Sequence, residues 1–158
     1  MMTVYVETSV VSYAVARPSA LPHHLVRHDD AERWWTEFAP RYRLYISQVV
    51  IDEAAAGDAT AAKQRLAMLT GIPLIPLTDQ VHSIAAELLR RSVLPSGAAV
   101  DALHVAAAAV GGVDYLLTLN CRHIANAHTL PRVYQTLEDL GLPRPLVCTP
   151  EEFFDDDF

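Results

Sequence analysis

Apolar positions along the chain alternate between two periods. Short runs of β-branched, aromatic and aliphatic residues recur at 3–6, 43–47, 72–77, 115–117 and 145–150, bounded by turn-forming residues. Runs of this kind read as strands. Between them lie longer stretches in which apolar residues follow i, i+3, i+4, i+7 spacing, the signature of a helix with one buried face. The spacing predicts helices from Val10 to a stop at Arg17-Pro18-Ser19, over about 29–38, over 48–56, over 59–69, and from Thr78 or Asp79 to about Ser92. Two more are predicted, one opened by Pro95-Ser96 and running to Val110, and one over 131–140. Thr8 or Ser9 is the expected N-cap of the first. Ala31, Trp34, Trp35 and Phe38 form an apolar stripe on the second, read as core packing or a subunit contact rather than a base-stacking platform. Pro73 and Pro76 place the 72–77 strand at an edge or in irregular pairing.

Strands alternating with helices imply βαβ units, so the expected fold is α/β, a three-layer domain with a mostly parallel central sheet flanked by helices. The most informative stretch is 101–120, Asp-Ala-Leu-His-Val-Ala-Ala-Ala-Ala-Val-Gly-Gly-Val-Asp-Tyr-Leu-Leu-Thr-Leu-Asn. Leu103, Ala106, Ala107 and Val110 mark a buried helical face, and Gly111-Gly112 stop the helix. Tyr115, Leu116 and Leu117 form a buried strand that ends in Thr118 and Asn120. In open α/β sheets ligands bind beyond the carboxyl ends of strands, so a helix bearing Asp101 followed by a strand with a polar tip marks a candidate site.

Composition narrows the picture. A chain of 158 residues, 51% hydrophobic, has core enough for one domain without disulfides or metal. Its longest small-apolar run, 105–113, is nine residues, too short to cross a bilayer. No basic region followed by an apolar stretch opens the chain, so no signal peptide is expected. Two cysteines, Cys121 and Cys148, make no disulfide framework, and a cytoplasmic protein with reduced thiols is the expectation. The net charge of −7 argues against a broad nucleic-acid-binding face. Five of the 19 acids, however, lie in the last eight residues, and the rest of the chain carries only −2. The tail also holds three Phe and could dock on the body.

Glycine-rich dinucleotide and phosphate loops are absent, as is the nucleophile elbow of hydrolases. His23, His24 and His28 would form a metal site only if acids or cysteines joined them, and Cys121, His123, His128 and Cys148 match no common zinc spacing. Glu7 remains, at the end of the first strand, with Glu53 in the helix after the second, Asp101, and the tip Thr118/Asn120. Each has a plainer reading: Glu7 beside a helix start, Glu53 as a surface acid. His104, three residues after Asp101, either orients that acid or is a half-buried core histidine. Three carboxylates brought together would repel by about 4 kcal/mol per close pair at an effective dielectric near 20. They would persist only with a compensating cation, and hard oxygen ligands favour Mg²⁺ or Mn²⁺.

Glu7-Thr8-Ser9 after the first strand, Glu53 early in the helix after the second, the Asp101-Ala-Leu-His104 helix and the Asp114-Tyr-Leu-Leu-Thr-Leu-Asn120 segment together resemble a PIN domain of the VapC toxin type. The resemblance covers nearly the whole chain, as a PIN-like domain over 1–150 followed by an acidic tail over 151–158. It implies a Mg²⁺- or Mn²⁺-dependent endoribonuclease that leaves 5′-phosphate ends. It further implies an RNA substrate, a homodimer held by early helices, and a small antitoxin partner that blocks the site. Carried over, Glu7, Glu53 and Asp101 are the metal-binding and catalytic acids, with Asn120 in the place of the fourth. Thr118 lies beside Asn120, and Thr8 or Ser9 holds a water or a ligand. Two positions depart from the family pattern, in which the first and fourth acids are Asp. The alternative is therefore a degenerate PIN domain, weakly active or inactive, kept as a dimeric RNA- or partner-binding protein.

Overall fold

The computed structural model describes residues 1–17, 20–91, 93–95 and 97–154. Pro18-Ser19 and Ser92, expected at helix ends, Ser96, expected at a helix start, and tail residues 155–158 lie outside them. Four parallel strands stand in the order β2-β1-β3-β4, with β1 at Thr3–Val6, β2 at Arg43–Tyr45, β3 at Tyr115–Leu117 and β4 at Leu146–Cys148. Val4, Tyr5 and Val6 are all fully buried, which is why β1 reads as an unbroken apolar run. Because every strand points the same way, the residues that follow β1 and β3 emerge at one edge of the sheet.

Among the described residues seven α-helices flank this sheet: α1 (Thr8–Val15), α2 (Pro22–Arg33), α3 (Gln48–Ala54), α4 (Ala59–Leu69), α5 (Asp79–Arg90), α6 (Ala99–Val110) and α7 (Leu130–Asp139). α2 starts seven residues before its expected position, since Pro22 sits in its first turn, where a missing N–H costs nothing and the fixed φ suits the helix. The chain then widens into one π turn, Trp34–Phe38, closed by Ala39 N–H donating to Trp34 O.

Residues 72–77 do not form the expected strand. Leu74 makes a single parallel bridge to Ile46, through Ile46 N to Pro73 O at 3.1 Å and Ile75 N to Ile46 O at 2.7 Å. Pro73 and Pro76 lack the N–H groups that would extend the ladder. α6 departs from expectation in another way. Ala102 and His104 through Ala109 are all buried, while Leu103 and Val110 are only partly so, so the helix is covered on nearly every side. Its end is a Schellman turn: Gly112 adopts φ +63°, its N–H reaches Ala109 O, and Val113 N–H reaches Ala108 O.

The chain returns to the body after β4. A 3₁₀ turn, Pro150–Phe153, places the Phe153 ring 5.4 Å from Tyr42 and Tyr115 and 5.8 Å from Trp34. The Arg33 guanidinium lies 4.4 Å over the Phe154 ring.

Candidate active site

Glu7 leaves the end of β1 and caps α1: its backbone is extended and its carboxylate accepts the Ser9 N–H. The cap is therefore the acid itself, not Thr8 or Ser9, and the partial positive charge at a helix start suits a carboxylate. Glu7 is only 4% exposed. Its Oε2 accepts the hydroxyls of Ser9 and of Thr118, the latter at 2.7 Å. Ser9 Oγ in turn accepts the Leu119 N–H at 2.8 Å, and Thr118 Oγ1 accepts the Asn120 N–H at 2.9 Å. The polar tip of β3 thus secures the acid at the tip of β1.

Glu53 comes from α3 and meets two partners with one oxygen. Its Oε1 accepts Thr8 Oγ1–H at 2.7 Å and lies 2.6 Å from His104 Nε2. Burial pushes the Glu53 carboxyl up, but the His104 and Thr8 bonds, with the charge of the imidazole, outweigh it and hold it below the ordinary carboxylate range. His104, on α6, is 0% exposed. Its Nδ1 lies 2.8 Å from the Tyr5 hydroxyl, which is itself 2.8 Å from Ser47 Oγ. Burial, opposed by the Ser47 bond and assisted by Glu7 and Glu53, raises the Tyr5 phenol well above its usual range, so it stays protonated. His104 is not half-buried, and it bonds Glu53, 51 positions away, rather than Asp101 one turn before it.

Asp101, in the first turn of α6, faces the same cleft from another wall. Its Oδ1 accepts Asn120 Nδ2–H at 3.1 Å, and its Oδ2 lies 2.8 Å from His123 Nδ1. Asn120 Oδ1 accepts the His123 backbone N–H at 3.1 Å. Glu7, Ser9, Glu53, Asp101 and Asn120 all line one open cleft of about 350 Å³, with Arg27 and Arg122 on its rim. Thr8, Thr118 and His104 support it from beneath. One ligand atom from each of Glu7, Glu53 and His104 falls within 4.8 Å of the others. Asp101 stands outside that tight group.

Several of these residues escaped the sequence reading. His123 lies in a turn 22 positions from Asp101, with no period linking them. Tyr5 read only as a strand residue, and Arg27 sits on the early part of α2 that sequence spacing left unassigned. The Cys121/His123/His128/Cys148 set is not a zinc group: Cys148 is buried in β4 with its thiol toward Leu116 O at 3.8 Å, and Cys121 is exposed. On α2, Asp29 and Glu32 do join His28 within the same 4.8 Å limit. They are exposed one-turn neighbours, and His28 Nδ1 is already bonded to Tyr13 O at 2.8 Å.

The PIN domain family model matches residues 4–128, a range that includes Glu7, Glu53, Asp101 and Asn120 but ends before α7 and β4. The solved structure described as VapBC2 from Rickettsia felis bound to a DNA fragment from their promoter shares the fold. Its TM-score is 0.53 at 14% identity, with 94% of this chain and 98% of that one covered. No curated protein sequence matches the chain. With the family model spanning most of its length, and the acids at the carboxyl edge of a parallel sheet, this chain belongs to the PIN domain family.

Proposed function

We propose that the protein is a metal-dependent endoribonuclease of the VapC toxin kind. The observation that carries this reading is the approach of Glu7 and Glu53, from separate elements, to within 4.8 Å in a cleft that Asp101 also lines. Two carboxylates at that separation repel by about 3 kcal/mol at an effective dielectric near 20, a cost that a cation converts into binding. The donor set fits one: Glu7 Oε1 accepts no hydrogen bond among the described residues, nor does Glu53 Oε2. Glu7 and Glu53 would hold Mg²⁺ or Mn²⁺ from one wall, with Asp101 and the Asn120 carbonyl completing the shell from the other. Such an ion, when bound, activates a water and neutralises charge on the scissile phosphate.

The residues of the chain do the positioning. Ser9 and Thr118 hold Glu7, Thr8 and His104 hold Glu53, and Asn120 and His123 hold Asp101, so each acid is oriented before substrate arrives. Arg27 and Arg122 give the rim of an acidic protein a local positive charge for the RNA backbone. Water attacking phosphorus in line and breaking the bond to O3′ leaves the 5′-phosphate end expected of this family.

The fold shared with a VapBC complex supports a small antitoxin as partner. Leu25 and Val26, exposed on α2, and Leu21, exposed just before it, support a homodimer through the early helices. Cytoplasmic location is part of the same proposal, and no described helix is long and apolar enough to cross a membrane.

A second reading, a weakly active or inactive PIN domain that binds RNA or a partner, draws on one observation. Both Asp101 oxygens are already engaged, one of them by the Asn120 amide where the family has a fourth acid. Titration of Mn²⁺ and Mg²⁺ by calorimetry, beside cleavage of an RNA pool, separates the two. The nuclease reading expects about one ion per chain and products with 5′-phosphate ends. Asp101→Asn should fold, lose cleavage at least about a hundredfold and bind metal more weakly. Full cleavage by that variant would sink the assignment, whereas RNA or partner binding without cleavage by wild type would establish the second reading.

A further inference from the structure

The acidic cluster contains a nitrogen that the family's all-oxygen site does not call for. His104 Nε2 lies 2.6 Å from Glu53 Oε1 and 3.9 Å from Glu7 Oε1, and one ligand atom from each of the three residues falls within 4.8 Å of the others. We infer that His104 is itself a metal ligand through Nε2. The ion held with Glu7 and Glu53 is then a first-row transition-metal dication in preference to Mg²⁺. This rests on the metal-site part of the reading above and is independent of whether RNA is the substrate.

The spacing suits a shared ion. Neighbouring ligands at about 2.1 Å from an octahedral ion stand about 3 Å apart, between the two separations seen. Shifts of under about 1 Å in the two glutamate side chains, each of which has rotatable bonds to spare, bring both to that distance. The ring is already set for the role. A ligating imidazole donates its other N–H to a second group that fixes its tautomer and plane. Here Nδ1 faces the Tyr5 oxygen at 2.8 Å, and Ser47 Oγ lies 2.8 Å beyond. With the Tyr5 phenol giving its single proton to Ser47, its oxygen would accept Nδ1–H, and a neutral ring would then turn its Nε2 lone pair toward the carboxylates. Without an ion, a proton must lie between Nε2 and Glu53 Oε1. Metal binding would release that proton to solvent and free the Nε2 lone pair to hold the ion.

The full burial of His104 would be costly for a surface-type ion-pair partner. A ligand set of two carboxylates and one imidazole also follows a different preference from carboxylates alone: nitrogen donors strengthen binding along the series from Mn²⁺ towards Zn²⁺, while Mg²⁺ gains little from them. The departures at Glu7 and Asn120 fit the same picture. A longer first acid reaches toward α6, and the missing fourth charge lowers the attraction for a hard ion.

The test uses the full chain loaded with Mn²⁺ and read by pulsed electron paramagnetic resonance. The expected result is a ¹⁴N coupling from one directly bound imidazole, retained in His123→Asn and lost in His104→Gln. Calorimetry should show Co²⁺ binding more tightly than Mg²⁺, with the Co²⁺-to-Mg²⁺ affinity ratio falling by about tenfold or more in His104→Gln. Should His104→Gln fail to fold, the wild-type coupling and its survival in His123→Asn still decide the question. Mn²⁺ bound without nitrogen coupling would overturn the inference and leave the nuclease reading standing. No Mn²⁺ binding at millimolar metal would overturn it along with the metal-site reading. Nitrogen coupling in a protein that leaves RNA uncut would uphold it and sink the nuclease reading.

Discussion

Asn120 shows how one atom changes a site. Where the family carries a fourth carboxylate, this chain has an amide that donates to Asp101 at 3.1 Å. Asn120→Asp would add a ligand charge and replace that bond with like-charge repulsion. The expected outcome is tighter Mn²⁺ binding by about tenfold, in line with about 1.4 kcal/mol of added attraction, together with a lower urea midpoint in the metal-free protein. Unchanged affinity by calorimetry would count against Asn120 as a ligand. Glu53 carries a pH prediction. Its carboxyl is held below its unfolded value, near 4.3, chiefly because the His104 and Thr8 bonds overcome burial. That contribution to stability is complete above the unfolded pKa and is lost as pH falls through the folded one. In chelator-treated protein, wild type should lose more stability than Glu53→Gln as pH falls from about 5 toward 3. Parallel denaturation midpoints across that range would show that the two bonds contribute nothing. Of the candidate site residues, Glu7, Asp101 and Asn120 stand out in the sequence because each follows a strand or opens a helix, and Glu53 because it lies in the helix after the second strand. His123 and Tyr5 do not, since their partners are set by three-dimensional contact alone.

Helix ends follow local chemistry closely. α6 stops at Gly111-Gly112 because Gly112 takes φ +63°, and two carbonyls of the last turn find donors there. Gly112→Ala places a Cβ in that left-handed conformation and should cost about 1 kcal/mol, seen as a lower urea midpoint with an unchanged m-value. No loss would mean that the turn relaxes. α4 falls on 59–69 as its period predicts, with Asp58 accepting the Ala61 N–H at 2.9 Å as cap. The helix of the aromatic stripe was legible only in its second half. Its first half, 22–28, is polar and histidine-rich, and what marks its start is Pro22 rather than any apolar spacing. Residues 72–77 failed as a strand for the opposite reason: the apolar run is present, but two prolines remove donors that a ladder needs.

At the scale of the molecule, the segment after β4 closes the structure on the side of the aromatic stripe. Phe153 meets Trp34, Tyr42 and Tyr115, edge to face, at 5.4–5.8 Å, and so ties the turn after β4 to the π turn and to the starts of β2 and β3. Phe153→Ala should destabilise the protein by about 2 kcal/mol, with a Tm several degrees lower and altered tryptophan emission. A Tm equal to wild type would show that the ring adds no net packing. The sequence by itself determined the α/β order, the parallel sheet and the presence of acids at its carboxyl edge, because strand period, turn residues and helix stops act over a few neighbouring positions. Only the tertiary structure decided which side chains meet. The order β2-β1-β3-β4 brings α3, α6 and the turn after β3 around Glu7, pairing Glu53 with His104 across 51 positions and Asp101 with His123 across 22. No local period encodes such distances; they follow from how the helices pack on the sheet.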